Sequence, residues 1–267
     1  MRQSDLIDAA EMLRSAKHVV VFTGAGMSAE SGIPTFRDDD GFWQRFPVES
    51  FATWKGILGT AFRQPRALAE FAFEVIQPIA EATPNAGHQA IERLEHHTKV
   101  TVVTQNIDGL HQQAGNTIVH EIHGTMFEVV SMKGRFLRLL SRGQFQRIGQ
   151  RVGKCRRGPL ALARLMWALR PWLGLGLHGV HRPKLVLFGD AMCEPDWSMA
   201  CQAVSECDCL LQVGCSGLVM PAAILPGEAK AAGAVTIAID PQPAAADLWL
   251  KGNAAEVLPT LMDAISR

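Results

Sequence analysis

A glycine-rich loop after the first apolar run is the clearest candidate for chemistry in this chain of 267 residues. Residues 18–23 read HVVVFT, and residues 24–37 continue as GAGMSAESGIPTFR. Small residues directly after a strand let the backbone approach a phosphate, and the N–H groups that open the next helix favour anions. The spacing differs from the fingerprint of hydride-transferring enzymes, because Ala29 stands where a third glycine is needed. We expect a nucleotide loop of another kind, with a tight turn that holds no ligand as the alternative.

Further motifs follow this loop along the chain. They are PNAGH (84–88), TQNIDGLHQQAG (104–115), HEIHG (120–124), VGCSGLVMPAA (213–223), AVTIAID (234–240) and AAEVLPTLM (254–262). With the loop, they resemble the sirtuins, the NAD-dependent protein deacylases. The resemblance covers most of the chain except about residues 130–181. The occurrence of these motifs together, and in the family's order, makes the resemblance specific.

The resemblance implies a reaction that needs one base beside a ribose. An acyl-lysine protein or peptide transfers its acyl group to the ADP-ribose part of NAD, and nicotinamide is released. The resemblance assigns the base to His123. A histidine suits this role, because its unperturbed pKa of about 6.5 lets it accept a proton near neutrality. His120 is interpreted as a structural histidine.

The resemblance also implies which residues bind NAD. They are Gly24, Ala25, Gly26 and Ser28 along the pyrophosphate and ribose, Arg37 near the phosphates, Phe36 as a shield over C1′, Gln105 and Asn106 at the ribose, Ile107 and Asp108 at the nicotinamide, and Gly214, Cys215, Ser216 and Asp240 at the adenosine end. Two of these depart from the family pattern: Cys215 stands where threonine is usual, and Asp240 where asparagine is usual. A carboxylate still accepts bonds from ribose hydroxyls, although the amide donor is lost.

On the substrate side, the resemblance implies that Leu187, Phe188 and Gly189 pair with the substrate backbone as an added strand. A buried strand end is the alternative interpretation. Family members that remove acidic acyl groups carry a tyrosine and an arginine where Ala72 and Val75 stand here. We therefore expect acetyl or apolar acyl groups.

The zinc site of the family is missing its ligands. Sirtuins hold a structural zinc with two Cys-x-x-Cys pairs, and tetrahedral thiolate sites require such pairs. Ser131 and Gly134 occupy the first pair of positions, and Gly174 and Leu177 the second. The thiolate of Cys155 alone cannot build the site. Zinc is predicted to be absent.

The segment around those positions has an unusual charge distribution. From Ser131 to Gly189 there is no acidic residue, whereas 13 of the 26 basic residues of the chain lie there. A solvated basic face without a partner is one explanation. A basic helical replacement that contacts nucleic acid or an acidic partner is another. A shifted reading frame with later recovery is a third, which resequencing of the gene would test.

Short apolar runs alternate with helical patterns along the chain. The predicted strands cover 18–23, 99–105, 117–122, 184–189, 208–214 and 234–240, and the predicted helices 4–15, 62–80, 87–97, 196–206, 221–232 and 254–266. This alternation predicts an α/β fold, a doubly wound, Rossmann-like parallel sheet with a second, smaller inserted lobe. The predicted large NAD-binding domain covers about 1–34, 85–124 and 184–267, and the lobe about 35–84 and 125–183.

The amino-acid composition and the net charge restrict the class of protein further. Apolar residues make up 48% and charged residues 19%, as in a globular protein, and 26 Lys and Arg balance 26 Asp and Glu. The net charge therefore suggests neither a membrane nor a nucleic acid as a partner. No apolar run is long enough to span a bilayer. The six cysteines favour a reduced, cytoplasmic protein. An NAD-dependent protein deacetylase is the leading prediction. The alternatives are mono-ADP-ribosyl transfer at the same NAD site and a non-catalytic NAD-binding or partner-binding module.

Overall fold

The computed structural model describes residues 2–35, 42–155, 161–173 and 181–266. These residues form two compact units. The first comprises residues 1–35, 83–123 and 192–267, and the second comprises residues 36–82 and 124–191.

The strands are β1 (His18–Thr23), β2 (Lys99–Thr104), β3 (Val119–Glu121), β4 (Gly124–Ser131), β5 (Phe136–Leu139), β6 (His181–Leu185), β7 (Cys209–Val213), β8 (Val235–Asp240) and β9 (Leu248–Lys251). The helices are α1 (Gln3–Ser15), α2 (Phe42–Arg45), α3 (Val48–Phe51), α4 (Trp54–Arg63), α5 (Pro65–Glu81), α6 (Ala86–Leu94), α7 (Leu110–Ala114), α8 (Arg142–Gly153), α9 (Ala161–Leu173), α10 (Asp196–Glu206), α11 (Leu225–Ala231) and α12 (Ala254–Ile265).

The first unit is built on a six-stranded parallel sheet in the order β3–β2–β1–β7–β8–β9. Side chains of β1 alternate between two buried cores: Val19 and Val21 pack into one, and Val20 and Phe22 into the other. Helices α1, α6 and α12 complete the first core, and α10 and α11 the second. Burial on both faces explains why the strands are continuous apolar runs. The predicted doubly wound parallel sheet is confirmed.

The strand order indicates where a ligand would bind. From β1 the chain moves outward through β2 and β3 on one side, and from β7 through β8 and β9 on the other. The order reverses between β1 and β7, and open α/β sheets bind ligands beyond the carboxyl ends of the strands at such a point. The loops that begin at Gly24 and Gly214 follow these two strands directly.

The second unit contains an antiparallel sheet in the order β5–β4–β6. The strand predicted at 184–189 belongs to this sheet and not to the parallel one. It is β6, it pairs with β4, and it ends at Leu185. The apolar letters KLVLF suggested a core strand, but every residue of β6 is only half-buried, because it lies in a small sheet. Strands β4, β5 and β9 were not predicted from the sequence.

Helices α8 and α9 occupy the acid-free segment of the second unit. Ser141 caps α8 by accepting a hydrogen bond from the Gln144 amide, and the Gln144 side chain accepts one from the Ser141 amide. Phe145 of α8 lies 4.8 Å from the Phe127 ring and 5.5 Å from the Trp172 ring. The buried Trp172 Nε1 donates to the Met126 carbonyl at 3.1 Å. The capping box and the buried aromatic side chains therefore both favour a helix at this position, as expected when local and tertiary preferences are consistent.

No helix of the described ranges is long and apolar enough to cross a membrane.

Candidate active site

Two glycine loops touch at the carboxyl ends of β1 and β7. The Gly24 amide donates to the Val213 carbonyl at 3.1 Å, and the Gly26 amide to the Gly214 carbonyl at 3.0 Å. A Cβ on Gly26 would lie 2.7 Å from the Cα of Gly214, and one on Gly24 would lie 2.8 Å from the Gly214 carbonyl oxygen. Gly214 itself has φ +60°. Close approach of two backbones therefore requires glycine here, in addition to any ligand the loop holds.

A polar network fixes the turn after Gly26. The buried Ser28 hydroxyl donates to Asp108 Oδ2 at 2.7 Å. Asn106 Nδ2 donates to Ser28 Oγ at 3.1 Å and to the Gly24 carbonyl at 3.0 Å. Asp108 Oδ1 accepts from the Leu110 amide at 2.9 Å, which holds the carboxylate at the start of α7. Hydrogen bonds thus join the loop after β2 to the loop after β1.

One acceptor of this network is not bonded by any donor of the described residues. Within the described ranges, Asn106 Oδ1 has no hydrogen-bond partner, and the residue is half-buried. Ile107, beside it, is also half-buried. An accessible amide oxygen next to a glycine loop suits a ligand hydroxyl. The predicted residues Ser28, Asn106 and Asp108 are therefore brought together.

Asn85 and Glu30 were not predicted, and both hold the loop. Asn85 caps α6 by accepting from the Gly87 and His88 amides, and its Nδ2 donates to the Met27 carbonyl at 2.9 Å and to Ser31 Oγ at 3.1 Å. Glu30 Oε2 accepts from the Ala255 amide at 2.7 Å. The asparagine before a helical pattern in PNAGH is a recognisable cap signal. Its bonds to a segment more than fifty positions earlier leave no local signal.

His123 lies two residues after the end of β3, and its ring is oriented by the backbone. Its Nδ1 is 3.1 Å from the Gln105 carbonyl oxygen. Because a carbonyl only accepts, Nδ1 carries the proton and the lone pair of the neutral ring lies on Nε2. Among the described residues, no group is hydrogen-bonded to Nε2. Burial lowers the pKa of His123 below its usual value, and the bond to the Gln105 carbonyl raises it in partial compensation. The neutral base therefore predominates at neutral pH.

His120 lies nearby with different surroundings. It is buried, and its Nδ1 lies 3.7 Å from Asp196 Oδ1.

Two further histidines are buried beneath the loop. His111 Nε2 lies 3.1 Å from Thr23 Oγ1, whose hydroxyl donates to Thr104 Oγ1 at 2.8 Å. The His88 ring lies 4.9 Å from the His111 ring. Burial, reinforced by His111, lowers the pKa of His88 to about 3, and burial also lowers the pKa of His111. Both rings are therefore neutral supports of the β1 end.

The predicted adenosine-end residues lie on the adjacent loops. Cys215 is buried, its Sγ lies 3.5 Å from the Phe22 carbonyl oxygen, and it accepts from Gln105 Nε2 at 3.6 Å. Ser216 Oγ accepts from the Leu218 amide at 3.4 Å. Asp240 is buried, and its Oδ1 accepts from the Gln242 amide at 2.9 Å. The carboxylate of Asp240 thus shapes the turn after β8.

The predicted substrate residues lie in the second unit and form a turn rather than a strand. The Phe188 amide donates to the Ala52 carbonyl at 2.9 Å, and Gly189 has φ +91°. Asp190 Oδ2 accepts from the Leu187 amide at 3.1 Å. Two of the three amides expected to pair with a substrate therefore bind protein groups.

Phe36 and Arg37, predicted to contact NAD, lie outside the described residues.

The donors among the described residues do not fit the family's zinc. Ser131 and Gly134 form the turn between β4 and β5: the Gly134 amide donates to the Ser131 carbonyl at 2.9 Å, and Ser131 Oγ accepts from the Arg135 amide at 3.1 Å. Cys155 is buried, and its thiol donates to the Arg151 carbonyl at 3.1 Å. In the ranges that the structure describes, no group of three His, Cys, Asp or Glu residues could hold a metal ion. Gly174 and Leu177 lie outside those ranges.

The fold defines a doubly wound α/β protein in which two glycine loops meet at the carboxyl ends of β1 and β7 and a backbone carbonyl orients His123. A family model described as "Sir2 family" matches residues 24–221, and the chain belongs to that family. The NAD-dependent protein deacylase 2 of Pyrobaculum aerophilum is 37% identical over 98% of this chain and 96% of its own length. A solved Sir2 enzyme superimposes with a TM-score of 0.79 at 34% identity, covering 100% of this chain and 99% of its own. A Sir2 protein bound to a myristoylated histone peptide has a TM-score of 0.72 at 31% identity, covering 100% and 98%.

Proposed function

We propose that this protein is an NAD-dependent protein lysine deacylase with His123 as its base. The observation that carries the proposal is the orientation of His123, whose Nδ1–H is held by the Gln105 carbonyl so that Nε2 presents its lone pair. Family membership and the name of the Pyrobaculum relative support the same activity.

Each residue of the network has a role in this reaction. NAD, when bound, supplies the ribose that receives the acyl group. Nε2 of His123 accepts a hydroxyl proton, and the Gln105 carbonyl stabilises the resulting imidazolium through Nδ1–H. Asn106 Oδ1 accepts from a ligand hydroxyl, and Asp108, held by Ser28, accepts from a carboxamide. Because these groups are already positioned by protein hydrogen bonds, little reorganisation is needed when the ligand binds.

The main test uses purified protein, NAD and an acetyl-lysine peptide, with products identified by mass spectrometry. We expect nicotinamide and acetylated ADP-ribose from the wild type and a loss of at least about a hundredfold in rate for His123→Asn. His97→Asn is the matched control, since His97 is exposed, and it should keep the wild-type rate. ADP-ribose attached to protein without acylated ADP-ribose would identify the protein as a mono-ADP-ribosyltransferase. NAD binding without either product would identify a non-catalytic module.

The preferred acyl group is proposed to be uncharged. Ala72 of α5 is buried, and Val75 packs against the aromatic cluster of Phe42, Phe46 and Phe51. Neither side chain offers a cation to an acidic acyl group. The relative bound to a myristoylated peptide supports an apolar chain. Competing acetyl, myristoyl and succinyl peptides should yield transfer from the first two, and preferential desuccinylation would contradict the proposal.

The second unit is proposed to fold without zinc, because an aromatic core consolidates it. Phe127, Phe145 and Trp172 pack together in this unit, and among the residues that the structure describes no group of three His, Cys, Asp or Glu could hold a metal ion. Aromatic burial of this kind stabilises by about 0.5–1.5 kcal/mol per pair beyond the area it buries. Elemental analysis of the purified protein should find much less than one zinc per chain, and EDTA should leave the melting temperature unchanged. Stoichiometric zinc, with melting lowered by EDTA, would refute this.

A further inference from the structure

Six basic and aromatic side chains form one surface on the second unit, which we call the α8–α9 face. It consists of Arg147 and Arg151 of α8, of Lys154 at the C-terminal cap of α8, and of Arg164, Trp167 and Arg170 of α9. Spacings of three and four residues place each set on one side of its helix. The opposite side of each helix is buried, with Ile148 and Leu165 in the core. The face is thus directed outward by the packing of the helices.

Trp167 is the centre of the face. Its side chain is 54% exposed, although tryptophan is usually well buried. The guanidinium carbons of Arg151 and Arg170 lie over its ring, 4.9 Å and 5.0 Å from the centroid. Cation–π contact orders both guanidinium groups without neutralising their charge, as a carboxylate would. The face therefore presents fixed positive charge, in a segment that has no acidic residue from 131 to 189.

We propose that the α8–α9 face binds nucleic acid through its phosphate backbone. Planar guanidinium groups match phosphate oxygens bidentately, and a tryptophan with stacked arginines offers the aromatic and cationic surfaces on which bases stack. The net charge of the chain is zero, so attraction to a polyanion has to come from a local face such as this one. This inference is independent of the deacylase activity.

An anionic membrane fits the same surface less well. Trp167 could enter the hydrocarbon boundary only if the two guanidinium groups over its ring were buried with it or pulled away. A phosphate backbone requires neither, because it meets the cations in water. The geometry thus favours a polar polyanion over a lipid surface.

Binding is measured by fluorescence anisotropy with a labelled oligothymidylate of about 20 nucleotides, longer than a usual single-stranded site. We expect binding that weakens with salt. Arg151→Gln combined with Arg170→Gln should weaken it about tenfold and reduce the slope of log K against log salt by about 1.4, or 0.7 per contact. Trp167→Ala should weaken it further. The matched control is Arg63→Gln with Arg66→Gln, two exposed arginines of the same unit outside the face, which should leave binding near the wild-type value.

Several outcomes would overturn the proposal. One is an equal loss of affinity in the control pair, which would indicate nonspecific charge. Others are binding to phosphatidylserine vesicles without binding to the oligonucleotide, and equally effective competition by polyglutamate, which would indicate a membrane or an acidic protein. If the Arg151 and Arg170 changes unfold the unit by circular dichroism, Arg147→Gln with Lys154→Gln replaces them, since both side chains are exposed. If this double variant bound the oligonucleotide as tightly as the wild type, the proposal that the α8–α9 face binds nucleic acid would also be refuted.

Discussion

The buried His88, beneath the glycine loop, allows a quantitative prediction of how the free energy of unfolding depends on pH. Burial lowers the pKa of His88 to about 3 in the folded protein, whereas the unfolded chain titrates near 6.5. Below pH 6.5 the unfolded state therefore binds a proton that the folded state rejects. The stabilisation is complete above about pH 6.5 and is lost as the pH falls towards 3.

The magnitude follows from the separation of the two pKa values. A pH of 5 is about 1.5 units below the pKa of the histidine in the unfolded state. Protonation therefore stabilises the unfolded state by about 1.36 kcal/mol for each unit, or about 2 kcal/mol in total. That is a large fraction of a typical stability of about 5–15 kcal/mol. His111, whose pKa burial also lowers, adds to the loss in the same direction.

The assay is urea denaturation at about pH 7.5 and pH 5 for wild type and His88→Gln. Glutamine suits the third helical position of a capping box, where His88 now accepts from the Asn85 amide. Between about pH 7.5 and pH 5, the free energy of unfolding should fall by about 2 kcal/mol less in the variant than in the wild type. His97→Gln, which changes an exposed histidine, should match the wild type. Equal pH dependence in wild type and His88→Gln would refute the reasoning.

Three further predictions concern the site and the second unit. Because burial lowers the pKa of His123, the acid limb of kcat/KM should have its midpoint below pH 6.5, and a midpoint at or above 6.5 would contradict this. Gly26→Ala places a Cβ 2.7 Å from the Gly214 Cα, so it should lower the free energy of unfolding, measured by urea denaturation, by about 1–3 kcal/mol. Calorimetry should also show weaker binding of NAD. The control is Gly59→Ala, which has open space around its Cβ and should have neither effect. Trp172→Ala should cost about 3–5 kcal/mol. Trp172→Phe should cost about 1–3 kcal/mol, because it leaves the buried Met126 carbonyl without its donor, and a Phe variant as stable as the wild type would exclude that bond as a separate contribution.

Much of the first unit could be predicted from local patterns. The runs at 18–23 and 234–240 became β1 and β8, because continuous apolar residues bounded by turns are typical of buried parallel strands. The helix at 196–206 was predicted with its observed bounds. Signals within one element suffice when the element is long and periodic.

The second unit was less predictable, since its strands are short and only partly buried. Strand β6 carries apolar letters like those of a core strand, and nothing within 184–189 shows that its neighbour is β4 and not a parallel strand. Helices α8 and α9 are recognised as core elements only once Phe145 and Trp172 meet.

The sequence by itself determined the family, the doubly wound sheet and the identity of the residues in the loops, because these depend on residue type and spacing. Only the tertiary structure decided how those residues are oriented and which of them meet. The proton on His123 Nδ1 is placed by a carbonyl 18 positions earlier, and the glycine at position 26 is required by a backbone that arrives nearly two hundred residues later. Such contacts join strands that are adjacent in the sheet but distant in the chain, so their physical cause lies in the strand order and not in any local pattern.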